Sequence, residues 1–391
     1  MELRPEYSAV PSWLDTDFFE TTLRNAYHEK PDLRVIKVFV RPITAKGDNL
    51  GSALYRAVID CEIESNSLKY HLIVKSFPTG DLFRQLVVEM GVFRREFHIY
   101  KFTLPAMHAL LNKVPDLKES TFSARNFPTS RTDTLVLEDL NADGYQLAER
   151  SHQLDLQHCV AALRTLANFH ALSIILSINV PRSMETFRES FYIEERREMI
   201  AEFLEPNLLS LADLVEGWTG FERFGDKLRM VASQAVDCII NVAKAKRGSI
   251  AVLNHGDFWV NNILFKYNDY HAVTDVKIVD FQSCRYASPA LDLQYFIYTS
   301  PDESVRTDHL DLLLREYHAS LGSTLGVLGY GDYLFSMDQL RQEMKDKAIY
   351  GLVSACTDLG TVLGQQDCGE NSIFQRTFQH LLLHFEMNGI L

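Results

Sequence analysis

The chain has 391 residues and carries 39 Lys and Arg against 52 Asp and Glu, a formal charge of −13 at neutral pH. That field repels phosphate polymers and anionic bilayers, which argues against nucleic-acid and membrane-surface partners while leaving room for one local basic pocket. The length exceeds what a single hydrophobic core usually organises, so two lobes are expected, each burying a core of its own.

The opening Met1-Glu2-Leu3-Arg4-Pro5-Glu6 lacks the apolar stretch of a signal peptide, and no run of eighteen apolar residues occurs. A cytoplasmic protein without membrane insertion is the default expectation. Cys61, Cys159, Cys238, Cys284, Cys356 and Cys368 have no Cys-x-x-Cys spacing and read as reduced, packed thiols.

In chain order, Pro11 to Ala26 reads as a short helix with Asp15 or Thr16 at its start. Val35 to Ile43 reads as a strand. Ala53, Tyr55, Ala57, Ile59, Cys61 and Ile63 alternate with Arg56, Asp60 and Glu62, the period of a half-buried antiparallel strand. The loop between them, Thr44 to Ser52, holds Gly47 and Gly51 but no Gly-x-Gly-x-x-Gly; Asn49, Gly51 and Ser52 are its candidate phosphate contacts.

A third strand, Tyr70 to Phe77, carries Lys75 between Val74 and Phe77. A buried ammonium is costly unless an anion meets it. In a phosphoryl-transfer enzyme the nucleotide phosphates do so, and a helix glutamate holds the lysine from behind. The helical run Leu82 to Leu104 offers Glu89 and Glu96 on nearly one face; Phe93, Phe97 and Tyr100 set Glu96 against the core, which favours it. Thr134 to Leu140 is an apolar strand ending in Glu138 and Asp139, readable as an edge strand or as the crossover whose backbone meets an adenine edge.

Beyond it the pattern turns helical. Leu154 to Leu176 and Asp226 to Lys246 have apolar residues at helical spacing, the second ending at Arg247-Gly248. His170 lies on the apolar side of the first and reads as a hydrogen-bonded core histidine. Ile250 to Asn254 is a short strand delivering His255-Gly256-Asp257-Phe258-Trp259-Val260-Asn261-Asn262. Asp257 can orient an attacking hydroxyl and take its proton, and Asn262 can hold a metal on the nucleotide. A hairpin through Asn268-Asp269 joins strands Ile263 to Tyr267 and Val276 to Val279, which brings Asp280-Phe281-Gln282 back toward the loop. His380 and His384 have metal-helix spacing but lack the glutamate at 381 that a metalloprotease uses. Cys284 reads as a packing residue.

Together His255-Gly256-Asp257-Phe258-Trp259-x-Asn261-Asn262, Asp280-Phe281-Gln282, Glu138-Asp139-Leu140 and Trp13-Leu14 resemble the insect ecdysteroid kinase-like family, also described as CHK kinase-like proteins, relatives of choline and aminoglycoside phosphotransferases. The resemblance runs from about Pro11 to the C-terminus. It implies an α+β, protein kinase-like two-lobe fold, with a small antiparallel-sheet lobe over 1–139 and a large mainly helical lobe over 140–391. It also implies an ATP- and Mg2+-dependent kinase acting on a small-molecule alcohol, in a family associated with ecdysteroid phosphorylation and detoxification.

Carried over by position, Asp257 is the catalytic base and Asn262 and Asp280 the Mg2+ ligands. Lys75 holds phosphates with Glu96 as its partner, Leu137, Glu138, Asp139 and Leu140 border the adenine, His255 braces the loop and Asp292 supports it. Gly256 stands where a protein kinase has the arginine that reads a phosphorylated loop. The interval from Asp280 to Asp292 is too short for an activation segment, which favours a small-molecule acceptor; a monomer is expected. An apolar alcohol such as an ecdysteroid or xenobiotic leads; choline or another polar alcohol is the alternative, and a pseudokinase that only binds ligand is the reading from another class.

Overall fold

A computed structural model of the protein describes residues 10–27, 32–43, 52–64, 66–77, 88–89, 91–114, 121–149, 153–188, 191–244, 249–363 and 372–391. The chain forms two compact units, neither continuous in sequence: Met1–His108, Thr121–Gln146 and Lys277–Gln282 make the first; Ala109–Ser120, Leu147–Val276 and Ser283–Leu391 make the second.

The first unit is built on an antiparallel sheet of β1 (Arg34–Pro42), β2 (Ala53–Ile63), β3 (Asn66–Ser76), β4 (Asn126–Phe127) and β5 (Thr134–Glu138), in the order β1-β2-β3-β5-β4. The alternation in β2 puts Ala53, Tyr55, Ala57, Ile59 and Cys61 on one buried face. There they pack with Leu72, Val74 and Val136 against Phe19 and Leu23 of helix Thr16–Ala26. Asp15 caps that helix, accepting from the Phe18 amide at 2.9 Å. Lys75 is paired with Leu54 and Leu135, so the same period turns it to the opposite face.

β3 begins at Asn66, four residues before the expected start, because Ile63↔Asn66 closes a tight hairpin with β2. Of the single helix expected over Leu82 to Leu104, residues 82–87 and 90 lie outside the described residues, and the rest is corrected. Gly91, with φ +63, interrupts it, and helix Val92–His98 follows, widens to a π-turn at Ile99–Thr103 and continues as Leu104–Leu111. A left-handed residue ends helical periodicity. Glu89 therefore does not share a helix face with Glu96, and it is exposed whereas Glu96 is buried.

The second unit is mainly helical. Its central helix, Leu156–Asn179, is capped by Asp155 and packs against Leu310–Val327. It is long and apolar enough to span a bilayer by composition, but 67% of the relevant window is buried in the fold, as for a core helix. Helices Arg197–Glu216 and Arg223–Ala243 pair with each other; the latter ends at Ala243, and the expected Lys246, Arg247 and Gly248 lie outside the described residues. A short ladder joins Val252–Asn254 to Arg285–Ala287 and so fixes both ends of the segment that carries the polar loop. Helix Ala290–Thr299, buried along its whole length, follows. Near the C-terminus, Ala348–Ser354 runs through a π-turn, Ala355–Leu359, into Gly360–Leu363.

Candidate active site

In the first unit, Lys75 is brought together with Glu96 and Asp280. Its ammonium donates to Glu96 Oε1 at 2.9 Å and Asp280 Oδ1 at 2.8 Å, and lies 2.7 Å from Glu96 Oε2. The side chains of Lys75 and Glu96 are buried, while that of Asp280 keeps 18% exposure. Burial works against the Lys75 charge, but the Asp280 and Glu96 carboxylates outweigh it and hold its pKa above the ordinary range. Burial also dominates at Glu96 and pushes its carboxyl up to about 7, against the pull of Lys75.

Asp280 sits at φ +66, a region a non-glycine residue adopts only when its surroundings hold it there. They do: buried Phe281 packs edge-on against Tyr100 at 5.5 Å, Arg95 Nε donates to the Gln282 carbonyl at 3.3 Å, and Gln282 Nε2 reaches Asp280 Oδ2 at 3.4 Å.

In the second unit the loop after Val252–Asn254 is organised by Asp292. Its Oδ2 accepts from the His255 amide at 2.6 Å and its Oδ1 from the Gly256 amide at 2.8 Å. His170 Nε2 lies 3.2 Å from Oδ2, and His170 Nδ1 lies 2.7 Å from the Tyr317 hydroxyl. Burial opposes the Asp292 charge, yet the hydrogen bond and charge of His170, with His255 and the Gly256 amide, hold its carboxyl below the ordinary value. Asn254 ties strand to helix, donating to the Val252 and Ala287 carbonyls and accepting the Asp292 amide. Gly256 is required: at φ +83 a Cβ would stand 2.1 Å from the Ser283 carbonyl oxygen.

This frame presents Asp257. Asn262 Nδ2 donates to its Oδ2 and to its carbonyl, each at 2.9 Å, and the Tyr295 hydroxyl donates to its Oδ1 at 2.9 Å. Anchoring the Asn262 nitrogen leaves its carbonyl oxygen on the other side of the amide, the atom a hard cation takes. A carboxylate so held is oriented by neutral donors.

The other expected residues are distributed as follows. Ser52 is buried, and its hydroxyl has no hydrogen-bond partner among the described residues; Asn49 and Gly51 lie outside them. The Glu138 and Asp139 amides donate to the Arg125 and His71 carbonyls. The Asp139 carboxylate pairs with Arg56 at 2.6 Å and caps the turn Leu140–Asp143, so its side chain is committed to structure. A cavity of about 550 Å³ in the first unit is lined by Phe97, Tyr100, Phe102, His108, Leu135 and Glu138 among others; of the expected residues it takes in Glu138 alone. His384 hydrogen-bonds Tyr298 and His380 pairs with Glu303, as on an ordinary packed helix. Cys284 is buried.

Sequence reasoning missed Tyr295, Tyr317, Asn254 and the role of His170. Tyr295 carried a signal, three residues after Asp292 and hence on the same helix face.

A family model described as the ecdysteroid kinase-like family matches residues 46–330. Among solved structures, the chain is similar to an ethanolamine kinase of Plasmodium vivax, with 14% identity over 89% of this chain and 82% of that one, at a TM-score of 0.40. It is also similar to a glucosamine kinase solved in complex with glucosamine, ADP and inorganic phosphate, with 13% identity over 97% and 99% of the two chains, at a TM-score of 0.37. No curated protein matches in sequence.

Proposed function

The chain belongs to the ecdysteroid kinase-like family and is a small-molecule kinase, and from that premise we propose that it transfers the γ-phosphoryl of MgATP to the hydroxyl of a small apolar alcohol, such as an ecdysteroid or a hydroxylated xenobiotic. The observation that carries the reading is the buried Lys75 ammonium shared by Glu96 and Asp280. A buried ion cluster of this kind is poor evidence for stability. It is what a phosphate-binding lysine needs, with Glu96 holding it and the partly exposed Asp280 left to face a cation.

The donor types suit magnesium: an ion bound chiefly through phosphate oxygens takes one or two protein ligands, and the reading assigns it the carboxylate of Asp280 and the amide oxygen of Asn262, as the family resemblance implies. When bound, it neutralises charge developing on the transferred phosphoryl. Lys75 does the same from the protein side, Ser52 offers a hydroxyl to phosphate, and the backbone of Leu137 to Leu140 borders the adenine. Asp257 orients the acceptor hydroxyl and takes its proton; His255 and Asp292 keep its loop in place.

The preference for an uncharged acceptor rests on the aromatic surroundings of Asp257. Trp259, Tyr295, Tyr350 and Tyr192 form a chain of ring contacts with centroids 6.3 to 6.5 Å apart. The faces of Tyr350 and Tyr192 are already occupied by the Arg285 guanidinium, at 5.0 and 5.5 Å. A quaternary ammonium would have to compete with that cation. Alongside go a cytoplasmic monomer with neither nucleic-acid partner nor membrane insertion.

The test is Asp257→Asn, assayed for ADP formation against a panel of ecdysone, choline, ethanolamine and glucosamine, with MgATP binding followed by thermal shift. Loss of turnover with retained binding is expected. Normal turnover in Asp257→Asn removes the base assignment, and turnover with choline but not ecdysone reverses the acceptor preference.

A further inference from the structure

The cavity of about 550 Å³ in the first unit takes no part in the reaction above, yet its volume suits a small organic molecule. One wall is formed by the π-turn Ile99–Thr103 and the helical turns on either side of it, through Phe97, Tyr100 and Leu104; the other is the edge of the sheet, at β4 and at Leu135 of β5. A π-turn re-aims the side chains around it, and such turns gather at functional sites. The open polar groups on these walls are donors. Ser123 is 2% exposed, yet its hydroxyl has no hydrogen-bond partner among the described residues, and neither has His108 Nε2. A buried polar group without a partner calls for an explanation, and a ligand's oxygen is one. The exposed Lys101 holds its ammonium over the Phe97 and Phe102 rings, at 5.2 and 5.7 Å from their centroids, with no carboxylate paired to it among the described residues. Glu138, the acid in the lining, already accepts the Arg125 amide at 3.2 Å.

We propose that this cavity is an effector site for a small, mainly apolar carboxylic acid, whose hydrocarbon lies against Phe97, Tyr100 and Leu135 and whose carboxylate meets Lys101 and Ser123, and that its binding strengthens the Lys75–Glu96–Asp280 cluster. The apolar walls select the body of the ligand by removing it from water. The charge selects the head. Arg125, the other cation in the lining, is engaged elsewhere: its guanidinium donates to the Tyr27 hydroxyl and the Ala26 carbonyl and lies over the Tyr27 and Phe127 rings. Burial, and after it the Lys277 charge, lower the His108 pKa to about 4, so the imidazole is neutral and Lys101 is the cation left for a ligand. An ammonium-headed molecule of the same shape would meet that charge with its own.

The walls adjoin all three members of the ion cluster. Phe97 follows Glu96 in the chain, Leu135 is paired with Lys75 across the sheet, and Tyr100 packs edge-on at 5.5 Å against Phe281, the residue after Asp280. A molecule seated between these residues holds their side chains in the arrangement in which Lys75 reaches both carboxylates. It shifts the population toward that arrangement by as much as it binds it better than any other. Because the nucleotide uses the same cluster, the two ligands favour one another by the same factor. This coupling rests on the kinase reading, whereas the binding of the acid does not.

The test is calorimetric titration of the full chain with decanoate, decanol and decylamine, first without nucleotide and then with saturating MgATP. Decanoate should bind saturably at one site per chain, with decylamine at least roughly tenfold weaker. Lys101→Met should weaken decanoate about fivefold or more while leaving decanol within about twofold, and Ser123→Ala should weaken decanoate about twofold or more. Asn126→Trp, which puts an indole on the edge strand β4 where it lines the cavity, should abolish binding of both. Each variant is first checked for the circular dichroism spectrum and melt of wild type; Lys101 is exposed, so Lys101→Met keeps the test open if a more buried variant does not fold. MgATP should tighten decanoate about fivefold, and decanoate should tighten MgATP by the same factor. No saturable decanoate binding, or binding that all three folded variants leave unchanged, overturns the site. Decylamine binding as tightly as decanoate overturns the choice of a carboxylate. Decanoate and MgATP that bind independently overturn the coupling. A chain that binds decanoate as expected but never MgATP defeats the kinase reading and leaves the site standing.

Discussion

Lys75→Met should cost stability in a way that depends on pH, and the dependence is calculable. The substitution leaves Glu96, whose side chain is 1% exposed, and Asp280 without their shared cation. Removing one partner of a buried ion pair destabilises by about 3–5 kcal/mol. Glu96 has an escape in taking a proton: burial already raises its pKa to about 7 with Lys75 present, and losing Lys75 raises it further. In the variant each unit of pH below its raised pKa relieves about 1.4 kcal/mol, whereas wild-type Glu96 itself gains about 1.4 kcal/mol in all between pH 8 and pH 6, so a cost of about 3–5 kcal/mol at pH 8 falls to roughly 2–4 kcal/mol at pH 6. In melts followed by circular dichroism the midpoint should drop by roughly 6–20 °C at pH 8 and by less at pH 6. Adding Glu96→Leu should recover most of the loss, because a well-packed apolar pair can replace a buried ion pair at little cost. The double variant should still bind no MgATP. A melt equally depressed at both pH values, or a double variant less stable than Lys75→Met alone, would refute the reasoning.

Three further outcomes are expected. Gly256→Ala places a Cβ against the Ser283 backbone at a positive φ, which should cost about 3 kcal/mol and at least a hundredfold in kcat; a melt within about 1 °C of wild type would contradict it. Asp292→Asn removes the charge from three hydrogen bonds, those from His255, Gly256 and His170, and should lower kcat about a hundredfold with little change in KM for ATP. Because the folded pKa of Asp292 is depressed, its stabilisation is present above the ordinary carboxylate pKa and lost as pH falls through the lower folded value. Asp292→Asn should accordingly lose less stability than wild type on acidification. Glu96, with its raised pKa, works the other way: its contribution to stability is full below the ordinary value of 4.5 and lost as pH rises through about 7. Ionised Glu96 is nevertheless what holds Lys75, so MgATP affinity measured by calorimetry should weaken from pH 8 to pH 6 while the unliganded protein does not.

Local pattern made much of the first unit legible. The alternation in β2, the Asp15 cap and the position of Lys75 each follow from a few neighbouring residues, and the aromatic spacing of Phe93, Phe97 and Tyr100 favoured Glu96 over Glu89, a choice that the Lys75–Glu96 contact decides. The break that excludes Glu89 was harder to see, because Gly91 reads equally well as a tolerated glycine within a helix until its φ is known. Around Asp257 the limit was of another kind. Motif spacing singled out Asp257 and Asn262, and the family resemblance Asp292, but His170 reaches Asp292 from a helix 122 positions away and Tyr317 reaches His170 from one 147 positions away in sequence. No period or spacing encodes such pairs.

Asp358 marks the sharpest case. Helical spacing counted through Ala348–Leu363 at a constant 3.6 residues per turn assigns it the wrong face, since the π-turn adds a residue just before it. Its composition offers no warning either, as a lone aspartate late in an apolar helix reads as a solvated exception. The two acids thus differ in how they are specified: Asp257 by a contiguous loop whose Gly256 admits no side chain, Asp358 by a register shift visible only in three dimensions.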